Sequence, residues 1–195
     1  TFTNCEFTKP YDWLCNKDYA TYTNCKFDGR PLVGSDIDID DTIVDVDGQY
    51  YAEANNATEL STAFNLAAAE YSPLNILVKG DVTGNVTAEQ KANVEVVVEG
   101  NNHSYNGALL INGKSSRFAT AGMTIQNFNF TGDDASITTD AYINLGIKGD
   151  TNTRYTSNVT VKDCTFSTTA TKDVVAVKSY TGGDHNVNII GCTVN

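Results

Sequence analysis

Five cysteines, two histidines and a run of aspartates are the residues of this chain best suited to chemistry. Cys5, Cys25, Cys164 and Cys192 each follow an Asn, Asp or Gly, and each is followed by a short pair: Glu6-Phe7, Lys26-Phe27, Thr165-Phe166 and Thr193-Val194. Thiols repeated in one local setting can form disulfides, hold a metal, or line a core as small hydrophobes. Stacked neighbours approach bridging distance, but their parallel Cβ vectors suit a disulfide poorly. With no Cys-x-x-Cys and only His103 and His185 as imidazoles, a zinc site is not expected. The favoured reading is a core ladder of Cys5, Cys25, Cys164 and Cys192, joined by Phe128, which fills the same slot after Asn127. Cys15 lies off this ladder.

Asp36, Asp38 and Asp40 would share one face of an extended strand. Carboxylates so spaced can collect Ca²⁺, which takes oxygen ligands. The Gly and Glu of an EF-hand loop are missing, and a solvated acidic linker is the simpler reading, so no cofactor is expected. His103 lies in a Gly100-Asn101-Asn102 corner and His185 in a Gly-rich loop; neither has an acid or nucleophile at motif spacing. Tyr11, Trp13, Tyr19, Tyr50 and Tyr51 could stack on sugar rings or cover the ends of the fold, and the residues leave both open.

The elements that must position these groups are short strands. Leu74–Asp81, Val94–Asn101, Met123–Phe130, Val159–Phe166 and Val187–Val194 are similar apolar-alternating segments, starting 20, 29, 36 and 28 residues apart. Fixed-length helical repeats do not vary so; a β-solenoid does, because corners absorb extra residues. Phe2–Phe7 and Tyr22–Phe27 carry the same signature 20 residues apart. Asp47-Gly48 predicts a hairpin between 42–46 and 49–52. Asn56 with Glu59 predicts a helix N-terminus, with Leu60, Ala63, Phe64, Ala67 and Tyr71 on its apolar face and Pro73 stopping it. The expected organisation is solenoid-like coils at 1–33, an acidic linker at 34–47, hairpin and capping helix at 48–73, and a parallel β-helix at 74–195. An amphipathic helix ahead of the first coil would shield its open end.

Net charge −11, with 13 scattered basic residues and only three Arg, disfavours nucleic acid and anionic membranes as partners. No run of about 18 apolar residues is present, so membrane insertion is not expected. The chain opens at Thr1, as a mature form or an excerpt would. Abundant Asn, Thr, Asp and Gly fit a turn-rich extracellular β protein.

A helix, then Ile-Leu-Val-Lys-Gly-Asp, then Val-Val-Val-Glu-Gly-Asn-Asn-His-Ser-Tyr-Asn-Gly, then repeated strand–Asn/Asp–Cys–x–Phe units resembles the opening of pectin-lyase-like β-helix domains. The resemblance covers 48–195 and implies an all-β, right-handed parallel β-helix with one N-terminal capping α-helix. Such domains occur in polysaccharide lyases and glycosidases, surface adhesins and phage tailspikes. Polygalacturonases carry a Gly-Asp-Asp-Cys, which Gly132-Asp133-Asp134 resembles, so Asp133 and Asp134 are the catalytic candidates. Here Ala135 replaces the Cys, and the family's Asn-Thr-Asp, Gly-His-Gly and Arg-x-Lys are missing. The expectation is a non-enzymatic extracellular or cell-surface module, adhesive or structural, that binds glycans or another copy of itself through its ends. The alternatives are a tailspike or fibre component of a virion and a carbohydrate-active enzyme fragment.

Overall fold

The structure is a computed structural model. It describes residues 1–7, 20–27, 30–31, 43–46, 49–91, 93–113, 121–133, 136–137, 139–146, 158–171, 174–180 and 186–195. Tyr11, Trp13, Cys15, Tyr19, Asp36, Asp38, Asp40, Asp134 and His185 lie outside the described residues.

Two short strand pairs come first: β1 (Phe2–Thr3) with β3 (Tyr22–Thr23), and β2 (Glu6–Phe7) with β4 (Lys26–Phe27), both parallel. β5 (Arg30–Pro31) returns antiparallel to β4. The expected hairpin forms between β6 (Val44–Val46) and β7 (Gln49–Ala54), with Val46 opposite Gln49.

From β8 (Leu74–Val78) onward the chain visits three parallel sheets in rotation. The first cycle continues through β9 (Val82–Thr83) and β10 (Val86–Gln90). The second is β11 (Val96–Glu99), β12 (Ser104–Asn106) and β13 (Leu109–Gly113). The third is β14 (Met123–Gln126), β15 (Asn129–Thr131) and β16 (Ala141–Leu145). The fourth is β17 (Val159–Lys162), β18 (Thr165–Phe166) and β19 (Val175–Ser179), followed by β20 (Val187–Ile190) and β21 (Thr193–Val194). The first sheet runs β20-β17-β14-β11-β8-β7-β6, the second β21-β18-β15-β12-β9, the third β10-β13-β16-β19.

One register differs from the sequence reading. Leu74 pairs with Val96 rather than Val94, and Val96 with Met123, so the first two intervals are 22 and 27 residues. Met123 pairs with Val159 and Val159 with Val187, as expected. A slip of two residues keeps the same side chains inward, so alternation alone cannot fix it; Val94 and Val96 are both buried.

The alternation buries columns of side chains. Leu74, Val96, Met123 and Val159 form one column in the first sheet, and Ile76, Val98, Ile125 and Val161 the next. The second sheet stacks Val82, Tyr105, Phe130 and Phe166. The Phe130 and Phe166 rings lie 5.0 Å apart and 5° from parallel, with Tyr105 at 5.1 Å on the other side of Phe130. Tyr142 closes over this column from β16, and its hydroxyl donates to the Ser167 carbonyl. Each such side chain contributes about 1.5–3 kcal/mol by leaving water.

Helix α1 (Ala57–Leu66) lies against β7, β8 and β10 and buries Leu60, Ala63 and Phe64. Asn56 caps it, its side chain accepting from the Glu59 N–H at 3.0 Å. Glu59 reaches back to the Asn55 N–H at 2.9 Å, completing the reciprocal cap. These hydrogen bonds, led by the Asn55 side chain, hold the Glu59 carboxyl below its ordinary range. The helix ends earlier than Pro73 would require: Ala67 leaves the helical conformation, and Tyr71 sits in a separate 3-10 turn. The Lys91 ammonium donates to the Ala67 carbonyl, placing a cation at the negative end of the helix dipole.

Tyr22 and Cys25 form a second buried cluster with Tyr51 and Leu77. Tyr51 and Leu77 project from the face of the first sheet opposite the main core, so the N-terminal strands cover that face.

Truncating the middle of the aromatic column should be the costliest single change: Phe130→Ala is expected to lower unfolding stability by about 3–5 kcal/mol. Denaturant titration measures this, with Thr124→Ala, on a partly exposed position of β14, as the small-effect control.

Candidate functional site

The corner between the first and second sheets repeats most faithfully. Asn127, Asp163 and Gly191 occupy it with φ of 56°, 51° and 64°. Asn and Asp tolerate this left-handed geometry better than other residues with a Cβ. At Gly191 an added Cβ would stand 2.2 Å from Asp163 Oδ1, the end of a half-exposed side chain that would have to turn aside. The Asn127 N–H donates to the Lys162 carbonyl at 3.1 Å, and the Asp163 N–H to the Ile190 carbonyl at 2.8 Å. The residue after the corner then turns inward, as Phe128 and Cys164 do.

The cysteines share one geometry. Each Sγ donates to the carbonyl two residues back: Cys5 to Thr3 at 3.5 Å, Cys25 to Thr23 at 3.4 Å, Cys164 to Lys162 at 3.3 Å and Cys192 to Ile190 at 3.5 Å. All four are free thiols. Cys164 belongs to the main core with Cys192 packed against it, whereas Cys5 and Cys25 belong to the Tyr51–Leu77 cluster. The ladder is thus divided, with Phe128, Cys164 and Cys192 in the main core and Cys5 and Cys25 in the other cluster. Burial, ahead of every other influence, pushes the Cys164 thiol from 9.0 up to about 12. No group of three or more His, Cys, Asp or Glu that could hold a metal occurs among the described residues.

Of the aromatic candidates, Tyr51 is buried, and its hydroxyl donates to Gln49 Oε1 at 2.6 Å. Tyr50 is half-buried, edge-on to Tyr71 with ring centres 5.4 Å apart. His103 stands 3.4 Å from Asp81 Oδ1, which also accepts the Ser104 N–H at 2.9 Å. That arrangement serves the corner's own backbone.

Asp133 lies in a groove. Its Oδ1 accepts the Ser136 N–H at 2.8 Å, and its own N–H donates to Ser136 Oγ at 2.8 Å. Its carbonyl accepts from the Ile137 N–H at 3.0 Å. This reciprocal lock makes Asp133 the organiser of a tight turn. The groove, about 270 Å³, is lined by Asn106, Thr131, Gly132, Asp133, Ser167, Thr168 and Thr169. Asn106 and Thr131 are register partners on β12 and β15, and the Ser167 N–H donates to the Phe130 carbonyl at 3.0 Å. The Gly132 carbonyl takes the Thr169 N–H at 2.9 Å and the Thr168 hydroxyl at 3.1 Å. Asn106 Oδ1 is buried and accepts no hydrogen bond from the described residues. Sequence reasoning found Asp133 but missed the rest. The available signal was a polar residue directly after the inward aromatic of successive second-sheet strands: Tyr105-Asn106, Phe130-Thr131, Phe166-Ser167.

The chain matches no protein-family model, no curated protein and no solved structure. Among the described residues the structure is predominantly parallel β-sheet with one α-helix, an arrangement compatible with a β-helix.

The raised Cys164 pKa sets a pH dependence. The folded chain favours the neutral thiol, so this contribution is full below pH 9.0 and is lost as pH rises toward about 12. Burial raises the Tyr105 hydroxyl as well, in the same sense. The unfolding midpoint should fall across that window, and less steeply in Cys164→Ala. In native protein at neutral pH, an alkylating reagent should label half-buried Cys192 well before Cys164; equal rates would contradict the buried placement.

Proposed function

We propose that this chain is a non-enzymatic extracellular module, a right-handed parallel β-helix of the pectin-lyase type. In this reading it serves a surface or adhesive structure and lengthens by end-to-end stacking of copies. The rotation of the strands through three parallel sheets supports the β-helix, and parallel crossovers are right-handed in nearly all proteins.

The stacking rests on one observation, that residues 2–7, 22–27 and 187–194 carry the same corner. Asn4 and Asn24 have φ of 54° and 49°, beside 64° for Gly191. The Asn4 N–H donates to the Thr23 carbonyl at 2.9 Å, as the Asp163 N–H does to that of Ile190 at 2.8 Å. The Lys26 N–H donates to the Cys5 carbonyl at 2.8 Å, as the Thr193 N–H does to that of Cys164 at 2.9 Å. A coil of the 2–7 type therefore presents the pattern that a coil of the 187–194 type receives. In the described chain β20, β21 and β1 each have a strand on one side only. Ile189, Ile190 and Val194 are 55%, 51% and 71% exposed there. Exposed edges with apolar side chains are templates for further strands, and a heterologous contact that does not close gives a filament.

Light scattering across a wide concentration range tests this. Mass that grows with concentration supports stacking, and Ile189→Lys should hold the chain at monomer mass, since charge on an edge strand blocks pairing. A wild-type mass that stays monomeric throughout would refute it.

A further inference from the structure

We infer that the C-terminal end of a second copy docks on the flank of this molecule, against the coils at 2–7 and 22–27 as Tyr51 and Leu77 hold them. The inference rests on the stacking proposed above and names the surface that receives the incoming end.

The far end of the main stack is closed to such a partner. There β6 and β7 extend the first sheet beyond β8, and helix α1 lies against β7, β8 and β10. The N-terminal coils are open instead. β5 runs antiparallel along β4 and takes one side of that pair. Among the described residues β1 and β2 each have a strand on one side only.

The two open ends are complementary. Val161 is fully buried, whereas its register partner Ile189, in the same inward column, is 55% exposed with no described coil over it. Phe2 and Tyr22 are register partners too, at 37% and 8%. Here the first coil is the uncovered one; at Ile189 it is the last. Aligning the corners, Asn4 with Gly191, sets Phe2 over Ile189, Cys5 over Cys192 and Phe7 over Val194. Gly191 of the incoming copy would then donate its N–H to the Thr3 carbonyl, as Asp163 does to that of Ile190.

Leu77 is the residue that prepares this surface. It faces outward from β8 with Glu53 and Glu99 as register partners, yet it is almost fully buried. Tyr22 and Cys25 lie on it and on Tyr51, with Cys5 and Phe7 packed alongside. The described strands of these coils belong to two sheets, where cycles of the main stack have three. The Tyr51–Leu77 face supplies the missing wall for their inward side chains. On that wall Phe2, Phe7 and Tyr22 form a cluster with ring centres 5.1 to 6.0 Å apart. The open edge is therefore ordered before a partner arrives, which lowers the cost of docking.

Two full-length variants test this, with masses measured by light scattering, alone and mixed. Ile189→Lys blocks the C-terminal end and keeps the flank; Phe2→Lys blocks the flank and keeps the C-terminal end. Each should stay monomeric alone, and an equimolar mixture should form a one-to-one dimer that grows no further. Adding Leu77→Lys to the Ile189→Lys copy should weaken that dimer about tenfold, since the wall is lost. Glu53 and Glu99 on either side can accommodate the new cation. Adding Leu77→Lys to the Phe2→Lys copy should change nothing, which also shows that the substituted chain folds. A mixture that stays monomeric, a single variant that assembles alone, or an equal effect of Leu77→Lys in either copy would overturn the inference. So would a tighter dimer with Leu77→Lys on the flank copy, because the coils would then be released rather than held. Wild-type mass that still grows with concentration in any of those cases leaves stacking in place through another surface. A strictly monomeric wild type removes both readings.

Discussion

Strands in this stack find their hydrogen-bond partners only in neighbouring cycles, 22 to 36 residues away along the chain. Every buried backbone N–H and C=O must be paired, so successive cycles have to present the same edge at the same height. That requirement fixes the corners. A residue at positive φ redirects the chain from the first sheet to the second, and Asn127, Asp163 and Gly191 meet it in three different ways. The second corner has its own demand: a Cβ on Gly107, at φ 151°, would stand 2.3 Å from the Gly84 carbonyl oxygen.

With the corners in register, side chains of similar shape fall on top of one another. The aromatic column and the paired thiols follow from that alignment rather than from separate design. The inward slot after each corner takes Phe128 or Cys164 according to the room left by the neighbouring cycles. Polar residues align for the same reason, as in the Asn24 side-chain amide donating to Asn4 Oδ1 at 2.6 Å. The groove is an example on the outer side: a step after Phe130 and after Phe166 leaves space over a row of polar side chains. The capping helix closes the first cycle, while the last strands carry exposed Ile189 and Val194.

Alternation and the Asn-, Asp- or Gly-led units made the strands and the inward slot readable, since both are local patterns. The Asn56 cap was readable for the same reason. The Leu74–Val96 register was not, because a two-residue slip leaves the inward set unchanged. The Tyr51–Leu77 cluster was hidden too: covering the outer face of a sheet is a tertiary event with no periodic trace. The groove joins residues from three cycles, Asn106, Thr131 and Ser167, and depends on a register that alternation cannot supply. Asp133 was singled out for a catalytic resemblance, yet what its surroundings explain is a locked turn with Ser136.

The most direct measurement is the inter-strand register by NMR, read from backbone proton contacts between neighbouring strands of the first sheet. Contacts joining Leu74 to Val96, Val96 to Met123, Met123 to Val159 and Val159 to Val187 are expected. Contacts that instead join Leu74 to Val94, or strands paired antiparallel from β8 onward, would contradict the parallel stack on which the corners, the aromatic column and the groove all depend.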